Sequence, residues 1–329
     1  MRVLVTGASG MLGAGVARRL AERGDRVTVL QRRPARLGLP EILADVADPA
    51  AVRSACEGQD AVVHLAAKVN VVGNWQAYER VNVGGTRAIL DGCRATDVHR
   101  LVHVSSPSVA HSGASLIGAG AGPATPDSAG GPYARSKAIA ELTALRGDGA
   151  GLAVVAIRPH LVWGPGDTQL VARIVERARS GRLPVVGSGA ALVDSTYVDN
   201  AVDALVAALD RCEQAHGQAL VVTNGEPRPI AELIGDLCAA AGAPRPTRRV
   251  PVPLARVAGT AVQSLWSLTD RLTPGERSLD PPITRFVVEQ LSTAHWFDQR
   301  RTRAELCWSP RVSLDEGLER LHRWYADRP

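Results

Sequence analysis

The sequence predicts an α/β protein with a doubly wound parallel sheet and a smaller, mostly helical C-terminal domain. Three features of its 329 residues lead to this prediction: an apolar strand at the N-terminus, a glycine-rich turn that opens an amphipathic helix, and further strands that alternate with helices. Alternating strands and helices imply right-handed crossovers, which place helices on both faces of a parallel sheet. The predicted fold is therefore a Rossmann arrangement.

The first strand is predicted at Arg2–Thr6, because its central residues are all apolar, as in a strand buried on both faces. Gly7 ends this strand, and the helix that follows has apolar residues at helical spacing up to a glycine cap at Gly24. Gly7, Gly10 and Gly13 have no side chains that would keep a pyrophosphate from the backbone amides of the helix N-terminus. This turn predicts a dinucleotide site.

The remaining strands of the sheet are predicted from short apolar runs. They are Arg26–Leu30, Ile42–Val46, Ala61–Leu65, Leu101–Val104, Ala153–Ile157 and Ala219–Val222. Helices are predicted at Pro49–Cys56, Trp75–Ala95, from Tyr133 onward, at Thr168–Arg179 and at Asp199–Leu209. We therefore expect an NADP-binding domain over residues 1–158, completed by segments near 193–224, and a substrate-binding region over 159–192 and 225–329.

Two stretches allow more than one interpretation. Pro107–Pro132 is rich in glycine, serine and alanine, and it is either a surface loop or a lid over the substrate. Leu254–Leu272 is amphipathic and could line an apolar substrate pocket, rest on a membrane surface or pack on the core. Arg256, Asp270 and Arg271 exclude this segment as a membrane span.

The composition argues against several classes of protein. No uninterrupted apolar stretch is long enough to span a bilayer, and Gly7 interrupts the N-terminal run before it reaches the length of a signal peptide, so we expect a cytoplasmic protein. The net charge of +5 is spread along a chain with few aromatic residues, which argues against a nucleic-acid partner. Five widely spaced cysteines without a CxxC pair predict small core side chains and no metal site.

Tyr133 and Lys137 form the candidate catalytic pair. They lie four residues apart at the start of a predicted helix, so both side chains project from one face. The chain has only four tyrosines and two lysines, although it is rich in arginine. A phenol titrates near pH ~10, and a nearby ammonium favours the phenolate and lowers that pKa. Tyr133 is therefore predicted to act as a general acid.

Three further polar residues are candidates for the same site. Ser105 and Ser106 end a predicted strand at the carboxyl edge of the sheet, where ligands of open α/β sheets bind. Either hydroxyl could hold a carbonyl oxygen, since strand register decides which one faces the site. Asn82 lies inside a predicted helix, where asparagine is unfavourable, so it is expected to hold a water molecule or a backbone carbonyl.

The residues at the end of the second strand indicate the type of cofactor. A carboxylate there would bind the ribose hydroxyls of NAD, but this chain has Arg32 and Arg33. A guanidinium group suits a 2′-phosphate, which favours NADP over NAD. Asp45 and Val46, at the end of the third predicted strand, are expected to meet the adenine.

The motifs TGASGMLG, ADVAD, HLAA, VNVGGT, VSSPSV, PYARSK and RPHLVWGPGD occur in the order seen in extended short-chain dehydrogenase/reductases, which the chain resembles over its whole length. LVDSTYVDNAVDA, NGEP, TRFVVEQL and WSPRVSLDEGL resemble the branch of 3β-hydroxysteroid and sterol-4-carboxylate dehydrogenases. Within that branch the sequence is most similar to bacterial 2-alkyl-3-oxoalkanoate reductases of long-chain olefin and β-lactone biosynthesis. The loop His111–Gly131, rich in glycine and alanine, departs from the family pattern.

The resemblance implies roles for individual residues. It places the catalytic tetrad on Asn82, Ser106, Tyr133 and Lys137, and it leaves Ser105 as a neighbour of the cofactor. The full set expected to contact NADP is Gly7, Ser9, Gly10, Met11, Leu12, Gly13, Arg32, Arg33, Asp45, Val46, Ala66, Ala67, Asn82, Ser105, Tyr133, Lys137 and Pro159.

The expected reaction is reduction by NADPH of the C3 ketone of a 2-alkyl-3-oxo acid or thioester. Two alkyl chains would explain the apolar residues Trp266, Phe286, Trp296 and Phe297, although core packing explains them equally. Oxidation of a steroid or sterol with NAD, epimerisation or dehydration of a nucleotide sugar, and NADP sensing without turnover are the alternatives. The expected partners are a hydrophobic branched oxo-fatty acid, a membrane surface or biosynthetic complex held weakly, and a second subunit in a homodimer.

Overall fold

The structure is a computed structural model that describes residues 1–69, 74–111, 113–272 and 284–327, without the side chains of residues 263 and 265–272. In chain order its strands are β1 (Arg2–Thr6), β2 (Arg26–Gln31), β3 (Glu41–Leu43), β4 (Ala61–His64), β5 (Arg100–Val104), β6 (Leu116–Ala119), β7 (Ala153–Pro159), β8 (Val162–Trp163), β9 (Val185–Val186), β10 (Leu192–Val193), β11 (Thr196–Tyr197), β12 (Ala219–Val222), β13 (Arg228–Pro229), β14 (Arg249–Val250) and β15 (His295–Phe297).

The α-helices are α1 (Met11–Glu22), α2 (Pro49–Cys56), α3 (Trp75–Tyr78), α4 (Gly85–Ala95), α5 (Pro132–Arg146), α6 (Val171–Arg179), α7 (Val198–Asp210), α8 (Ile230–Ala240), α9 (Val252–Leu272), α10 (Arg285–Ser292), α11 (Arg300–Leu306) and α12 (Leu314–Ala326). A π-helix, Glu79–Gly84, joins α3 to α4. Two short 3₁₀ helices cover Pro107–Ala110 and Pro126–Ser128.

The main sheet has seven parallel strands in the order β12, β7, β5, β4, β1, β2, β3. The apolar run of β1 explains why helices cover both faces, since successive side chains of a strand point to opposite sides. Val3 and Val5 join one core cluster with Val16 of α1, whereas Leu4 joins a second cluster with Val52 of α2. The predicted doubly wound Rossmann fold is confirmed.

Strand register brings the candidate site to one edge of this sheet. Thr6 pairs with His64, His64 pairs with His103, and Val104 pairs with Ile157, so β1, β4, β5 and β7 end close to the same level. The turns after these strands therefore meet at the carboxyl edge, where parallel sheets bind ligands.

A second, four-stranded sheet has the order β13, β10, β15, β6. Strand β6 of this sheet lies inside Pro107–Pro132. The sequence predicts only a surface loop or a lid for that stretch. Leu116–Ala119 pairs in parallel with His295–Phe297, nearly 180 residues away. This pairing was not visible in the sequence because the glycine-rich stretch has no strand pattern of its own.

Two predicted elements differ from the structure by three residues at one end. The third strand is Glu41–Leu43 rather than Ile42–Val46, so Asp45 and Val46 lie in the turn after it. The helix predicted from Thr168 begins at Val171, because the carboxylate of Asp167 accepts hydrogen bonds from the backbone of residues 169, 170 and 171 at 2.7, 3.1 and 2.9 Å. An acidic cap of this kind satisfies the free amides of a helix start.

The segment predicted as amphipathic is helix α9, and its first half is largely exposed. Leu254 is 60% and Val257 is 68% exposed, whereas Ala255 and Gly259 face the rest of the protein. In this half Ala255 packs in a small core cluster with Val186 and Val288, whereas Leu254 and Val257 do not pack on the core. The side chain of Trp266 lies outside the described residues. Within the described part of the chain, no helix is both long and apolar enough to cross a membrane.

The cysteines are all free thiols. Four of them are buried, as the sequence predicts: Cys56, Cys93, Cys212 and Cys238. Cys307 is exposed, contrary to the prediction, and it ends α11 in a left-handed conformation with φ 48°.

Candidate active site

The turn between β1 and α1 uses its glycines in two ways. A side chain on Gly13 would lie 2.4 Å from the carbonyl oxygen of Gly7, and one on Gly7, whose φ is +78°, would lie 2.9 Å from the backbone nitrogen of Ala66. These two positions are fixed by close packing within the protein. A side chain on Gly10 would meet only the Gly7 oxygen, at 3.6 Å. Gly10 thus leaves open space on the outer side of the turn.

Helix α1 begins at this open position. Its N-cap is Gly10, which provides no side-chain hydrogen bond to the first turn. Ser9 and Gly10 are exposed, and Met11 and Leu12 are half-buried. Backbone amides of an uncapped helix start attract an anion, so the turn fits the pyrophosphate of a dinucleotide.

The residues expected at the adenosine end lie around the turn after β3. Arg32 and Arg33 are exposed, and Val46 is buried. The carboxylate of Asp45 accepts a hydrogen bond of 2.7 Å from Arg80 of the π-helix. Burial raises the pKa of Asp45, but hydrogen bonds from the Ala47 amide and Arg80, with the nearby charge of Arg32, bring it below its usual value. Asp45 is therefore a stable carboxylate beside two guanidinium groups.

Thr6 ties the end of β1 to the turn after β4. Its Oγ1 accepts hydrogen bonds from the amides of Leu65 at 3.1 Å and Ala66 at 3.0 Å, and it contacts His64 Nδ1 at 2.8 Å. Burial lowers the pKa of His64 to about 3, so this ring is neutral. The half-buried Ala66 and Ala67 are thereby held next to Gly7, on the dinucleotide side of the sheet edge.

The two serines after β5 have different surroundings. Ser105 is 6% exposed, its amide donates to Ile157 O at 2.6 Å, and its Oγ has no hydrogen-bond partner among the described residues. Ser106 is half-buried, and its Oγ accepts hydrogen bonds from Ser108 Oγ at 3.0 Å and Ser108 N at 3.3 Å. A buried hydroxyl normally has a hydrogen-bond partner. The hydroxyl of Ser105, near the buried Pro159 at the end of β7, is therefore placed to bind a cofactor.

Tyr133 and Lys137 both lie in the first half of α5, as their spacing predicts. Tyr133 is half-buried, and its phenol lies near the hydroxyl of Ser106. Lys137 is 5% exposed and donates from Nζ to Val104 O at 2.5 Å. Burial is the main influence on both pKa values: it raises that of Tyr133, against the effect of the Ser106 hydrogen bond, and lowers that of Lys137 to about 8.

One expectation about this pair is wrong. The sequence predicts that Lys137 lowers the pKa of Tyr133, but the structure raises it, because the phenol is desolvated and the ammonium is directed at the carbonyl of Val104. Tyr133 therefore keeps its proton through neutral pH.

Asn82 lies in the π-helix and is 2% exposed. Its Oδ1 accepts from Lys68 N at 2.7 Å, and its Nδ2 donates to Lys68 O at 3.1 Å and to Ser136 Oγ at 2.8 Å. Asn82 is expected to hold either a water molecule or a backbone carbonyl, and in the structure its side chain binds the backbone N and O of Lys68. The π-helix turns this asparagine from the helix toward the site, as single π turns do at many functional sites.

Four residues around the site were missed by the sequence: Thr6, Arg80, Ser108 and Ser136. Each lies within three residues of a predicted site residue and stands inside a quoted motif or beside one. Ser136, between Tyr133 and Lys137, also donates to Tyr133 O at 2.8 Å. Adjacent polar residues were the available signal, but their direction depends on the tertiary contacts.

Known proteins share this architecture. A family model described as the NAD dependent epimerase/dehydratase family matches residues 3–223. A protein of Stenotrophomonas maltophilia (strain K279a) named 2-alkyl-3-oxoalkanoate reductase is 43% identical over 331 residues, which are 98% of each chain. An Arabidopsis thaliana protein named 3beta-hydroxysteroid-dehydrogenase/decarboxylase isoform 1 is 32% identical over 289 residues, covering 85% of this chain and 65% of that protein.

A solved structure gives the same result for the fold. It is a double mutant of a dTDP-glucose 4,6-dehydratase from Streptomyces venezuelae with NAD bound, which is 25% identical, has a TM-score of 0.76 and is covered over 98% of its length. The predicted resemblance to extended short-chain dehydrogenase/reductases and to their 3β-hydroxysteroid and 2-alkyl-3-oxoalkanoate branch is thus confirmed. The chain belongs to the NAD dependent epimerase/dehydratase family, within the NAD(P)-dependent oxidoreductases of the extended short-chain type.

Proposed function

We propose that this protein is an NADPH-dependent reductase that converts the C3 ketone of a 2-alkyl-3-oxoalkanoic acid, or its thioester, to the 3-hydroxy product in long-chain olefin or β-lactone biosynthesis. The observation that carries the proposal is the 43% identity, over nearly the whole of both chains, to a 2-alkyl-3-oxoalkanoate reductase. The hydroxyl of Ser106 lies close enough to the phenol of Tyr133 to lower its pKa, and this proximity at the sheet edge supports a carbonyl chemistry.

The bound dinucleotide would supply the hydride. Gly7, Gly10 and the start of α1 would hold its pyrophosphate, and Ser105 and Pro159 would lie beside the nicotinamide end. These are the residues whose geometry fits a dinucleotide: an open glycine turn, an uncapped helix and an unpartnered buried hydroxyl.

Tyr133 would donate a proton to the ketone oxygen while Ser106 donates a hydrogen bond to the same atom. The phenol of Tyr133 carries its proton at neutral pH, as a proton donor must, although its raised pKa makes it a weaker acid than the spacing with Lys137 predicts. A developing alkoxide is far more basic than a phenolate, so the proton transfer is downhill even from a weakly acidic phenol. The reacting oxygen gains a hydrogen, and Tyr133 must then recover a proton from solvent.

Lys137 and Asn82 would assist the loss and recovery of the Tyr133 proton without contacting the ketone. Lys137 is buried one helical turn from Tyr133, with a pKa of about 8, and its charge would lie close to the ribose of the nicotinamide. Asn82 reaches the backbone carbonyl of Tyr133 through Ser136, which supports a role in positioning the start of α5. We propose that Asn82 also belongs to the path by which Tyr133 recovers a proton from solvent, as the family resemblance implies.

The preference for NADPH is supported by charge at the adenosine end. Arg32 is exposed close enough to Asp45 to lower its pKa, so a guanidinium is available to a 2′-phosphate. The carboxylate of Asp45 is already bound to Arg80 and would then face the adenine and not the ribose hydroxyls. We further propose a cytoplasmic enzyme, with a homodimer and weak contacts to a membrane surface or a biosynthetic complex as its expected associations.

The test is consumption of NADPH by the purified protein with a synthetic 2-alkyl-3-oxoalkanoic acid, with NADH and a 3-ketosteroid assayed in parallel. We expect turnover with NADPH and the branched oxo acid only. Turnover with the steroid and NADH would replace this proposal by the sterol dehydrogenase alternative. Binding of NADPH without turnover of any of these substrates would contradict the proposed reaction and leave the family assignment in place.

A further inference from the structure

A cavity of about 330 Å³ lies beside the candidate catalytic residues. It is lined by Pro107 and Ala110 from the first 3₁₀ helix, by Leu116 of β6, by Ala121 in the following turn and by Phe297 of β15, together with small glycine, alanine and hydroxyl side chains. None of the described residues that line it carries a charge. A cavity of this composition suits an apolar ligand.

The cavity adjoins the reacting groups. Pro107 follows Ser106 directly in the chain, and Ser128, another lining residue, lies five residues before Tyr133. The segment between them is closed onto the 3₁₀ helix, because Thr125 N donates to Val109 O at 2.9 Å. A group bound here would therefore lie against the residues that follow Ser106 and precede Tyr133.

The outer wall of the cavity is anchored from behind by a buried arginine. Arg158 is 0% exposed, and its guanidinium donates to the carbonyl oxygens of Ala121 and Gly122. Glu141 of α5 balances its charge, with Arg158 Nε at 2.7 Å and Nη2 at 2.5 Å from the two carboxylate oxygens. Glu141 lies one turn after Lys137 in α5. Arg158 therefore binds both α5, through Glu141, and the cavity wall, through Ala121 and Gly122.

The aromatic rings behind Phe297, at the inner end of the cavity, are uncharged. The ring of Phe297 packs edge to face against His160, 5.2 Å between centroids. Behind it His295 and His111 share a hydrogen bond of 2.9 Å between their ring nitrogens. Burial lowers the pKa of His160 to about 4 and that of His295 to about 3, so neither carries a charge at neutral pH. The rings therefore bring no positive charge to this end, and the buried carboxylate of Asp194 lies behind Phe297, whose backbone N donates to it at 3.1 Å.

We infer that this cavity binds one of the two alkyl chains of the substrate, and that Ala110 and Leu116 set the length of chain accepted. The inference rests on the proposed reductase function, which supplies a substrate with two chains. The volume would hold about ten methylene groups if each takes roughly the 30 Å³ of a water molecule. Each buried methylene should raise kcat/KM about fourfold, from roughly 0.8 kcal/mol of transfer free energy.

Two variants and a matched control test the assignment. Ala110→Leu adds bulk to the cavity, Leu116→Ala enlarges it, and Ile117→Ala is the control, because Ile117 is the next residue of the same strand and is 65% exposed. kcat/KM is measured for 2-alkyl-3-oxo acids in which either the C2 alkyl chain or the C3 chain is varied in length. Circular dichroism first establishes that each variant is folded.

We expect Ala110→Leu to shorten the optimum for one of the two chains by two to three methylenes, with a loss of tenfold or more for longer substrates, and to leave the other chain's profile unchanged. Leu116→Ala should shift the same optimum to longer chains, and Ile117→Ala should leave both profiles as in the parent. Profiles that are the same in all four proteins would overturn the inference while leaving the reductase function intact.

A binding measurement separates the inference from the proposed function. A saturated 2-alkylalkanoic acid has no ketone to reduce, so its affinity in the presence of NADP⁺ can be measured by calorimetry without turnover. If no oxo acid is reduced, but this acid binds and Ala110→Leu weakens it at least tenfold, the cavity assignment stands and the reductase function fails. Absence of binding, or binding that Ala110→Leu does not change, overturns the cavity assignment.

Discussion

The side-chain amide of Asn82 donates a hydrogen bond of 2.8 Å to the hydroxyl of Ser136, which in turn donates to the backbone carbonyl of Tyr133 at 2.8 Å. The π-helix that carries Asn82 and the start of α5 are thus joined through one buried pair of side chains. Asn82 also holds both backbone groups of Lys68. Any change in this pair should move the candidate acid relative to the sheet edge.

We therefore expect Asn82→Ala to lower kcat about tenfold or more and to destabilise the fold by about 2 to 4 kcal/mol, since it leaves both backbone groups of Lys68 without partners and removes the donor to Ser136 Oγ. Steady-state kinetics and thermal unfolding measure the two effects. Ser136→Ala, which keeps the Lys68 contacts, should lower kcat with a smaller loss of stability. A normal kcat in both variants would refute the positioning role.

Tyr133→Phe removes the proposed proton donor and little else. The turnover number should fall by a factor of about 10² to 10⁴, as expected for loss of a general acid. The affinity for NADPH, measured by fluorescence, should stay within about threefold of the parent. Tyr325→Phe, at a half-buried tyrosine of α12, is the control and should keep full activity. Retained activity in Tyr133→Phe would remove this residue as the acid.

The pH dependence should differ between the two directions of the reaction. Reduction needs the phenol of Tyr133, whose pKa burial raises, so its rate should be lost only as pH climbs through that raised pKa. Oxidation of the alcohol needs the phenolate, so its rate should increase with pH over the same range. Rates in both directions, with NADPH and NADP⁺ at saturation, give the comparison. Optima that coincide would speak against a tyrosine acid.

Arg32→Ala should weaken the binding of NADPH by about 10- to 100-fold, because a charged hydrogen bond to phosphate contributes roughly 1.5 to 3 kcal/mol. Binding of NADH, which lacks the 2′-phosphate, should change by less than about threefold. Arg18→Ala removes another exposed arginine from the outer face of α1 and serves as control. Equal losses of affinity for NADPH and NADH would show that Arg32 does not bind the 2′-phosphate.

Lys137 should make the stability of the protein depend on pH in the alkaline range. Burial lowers its pKa from 10.5 to about 8, so between these values the unfolded chain binds a proton that the folded chain has released. Stability from this group therefore increases with pH from about 8 to 10.5, and the penalty is complete below 8.

The variant Lys137→Met has no such penalty. Its free energy of unfolding minus that of the parent should decrease by up to about 3 kcal/mol between pH 7 and 10, whatever the constant loss of the hydrogen bond to Val104. Urea unfolding at several pH values measures this difference. Lys68→Met removes the other lysine of the chain and is the matched control. A difference that does not vary with pH would mean that Lys137 is not buried as a charged group.

The sequence by itself determined the parts of this protein that depend on neighbouring residues. The apolar run of β1, the glycine turn and α1 follow from local periodicity, and the spacing of Tyr133 and Lys137 follows from the helical repeat. Alternation of strands and helices then restricts the topology to a doubly wound sheet, because right-handed crossovers leave few alternatives.

Only the tertiary structure decided what depends on residues far apart in the chain. Leu116–Ala119 becomes a strand because it meets His295–Phe297, and no local pattern encodes that partner. The ammonium of Lys137 is directed at Val104 O, and desolvation then raises the pKa of Tyr133, in the direction opposite to that expected from spacing alone. Desolvation and hydrogen-bond partners are set by the packing of the whole chain, which is why a one-dimensional pattern could name these residues but could not determine the sign of their pKa shifts.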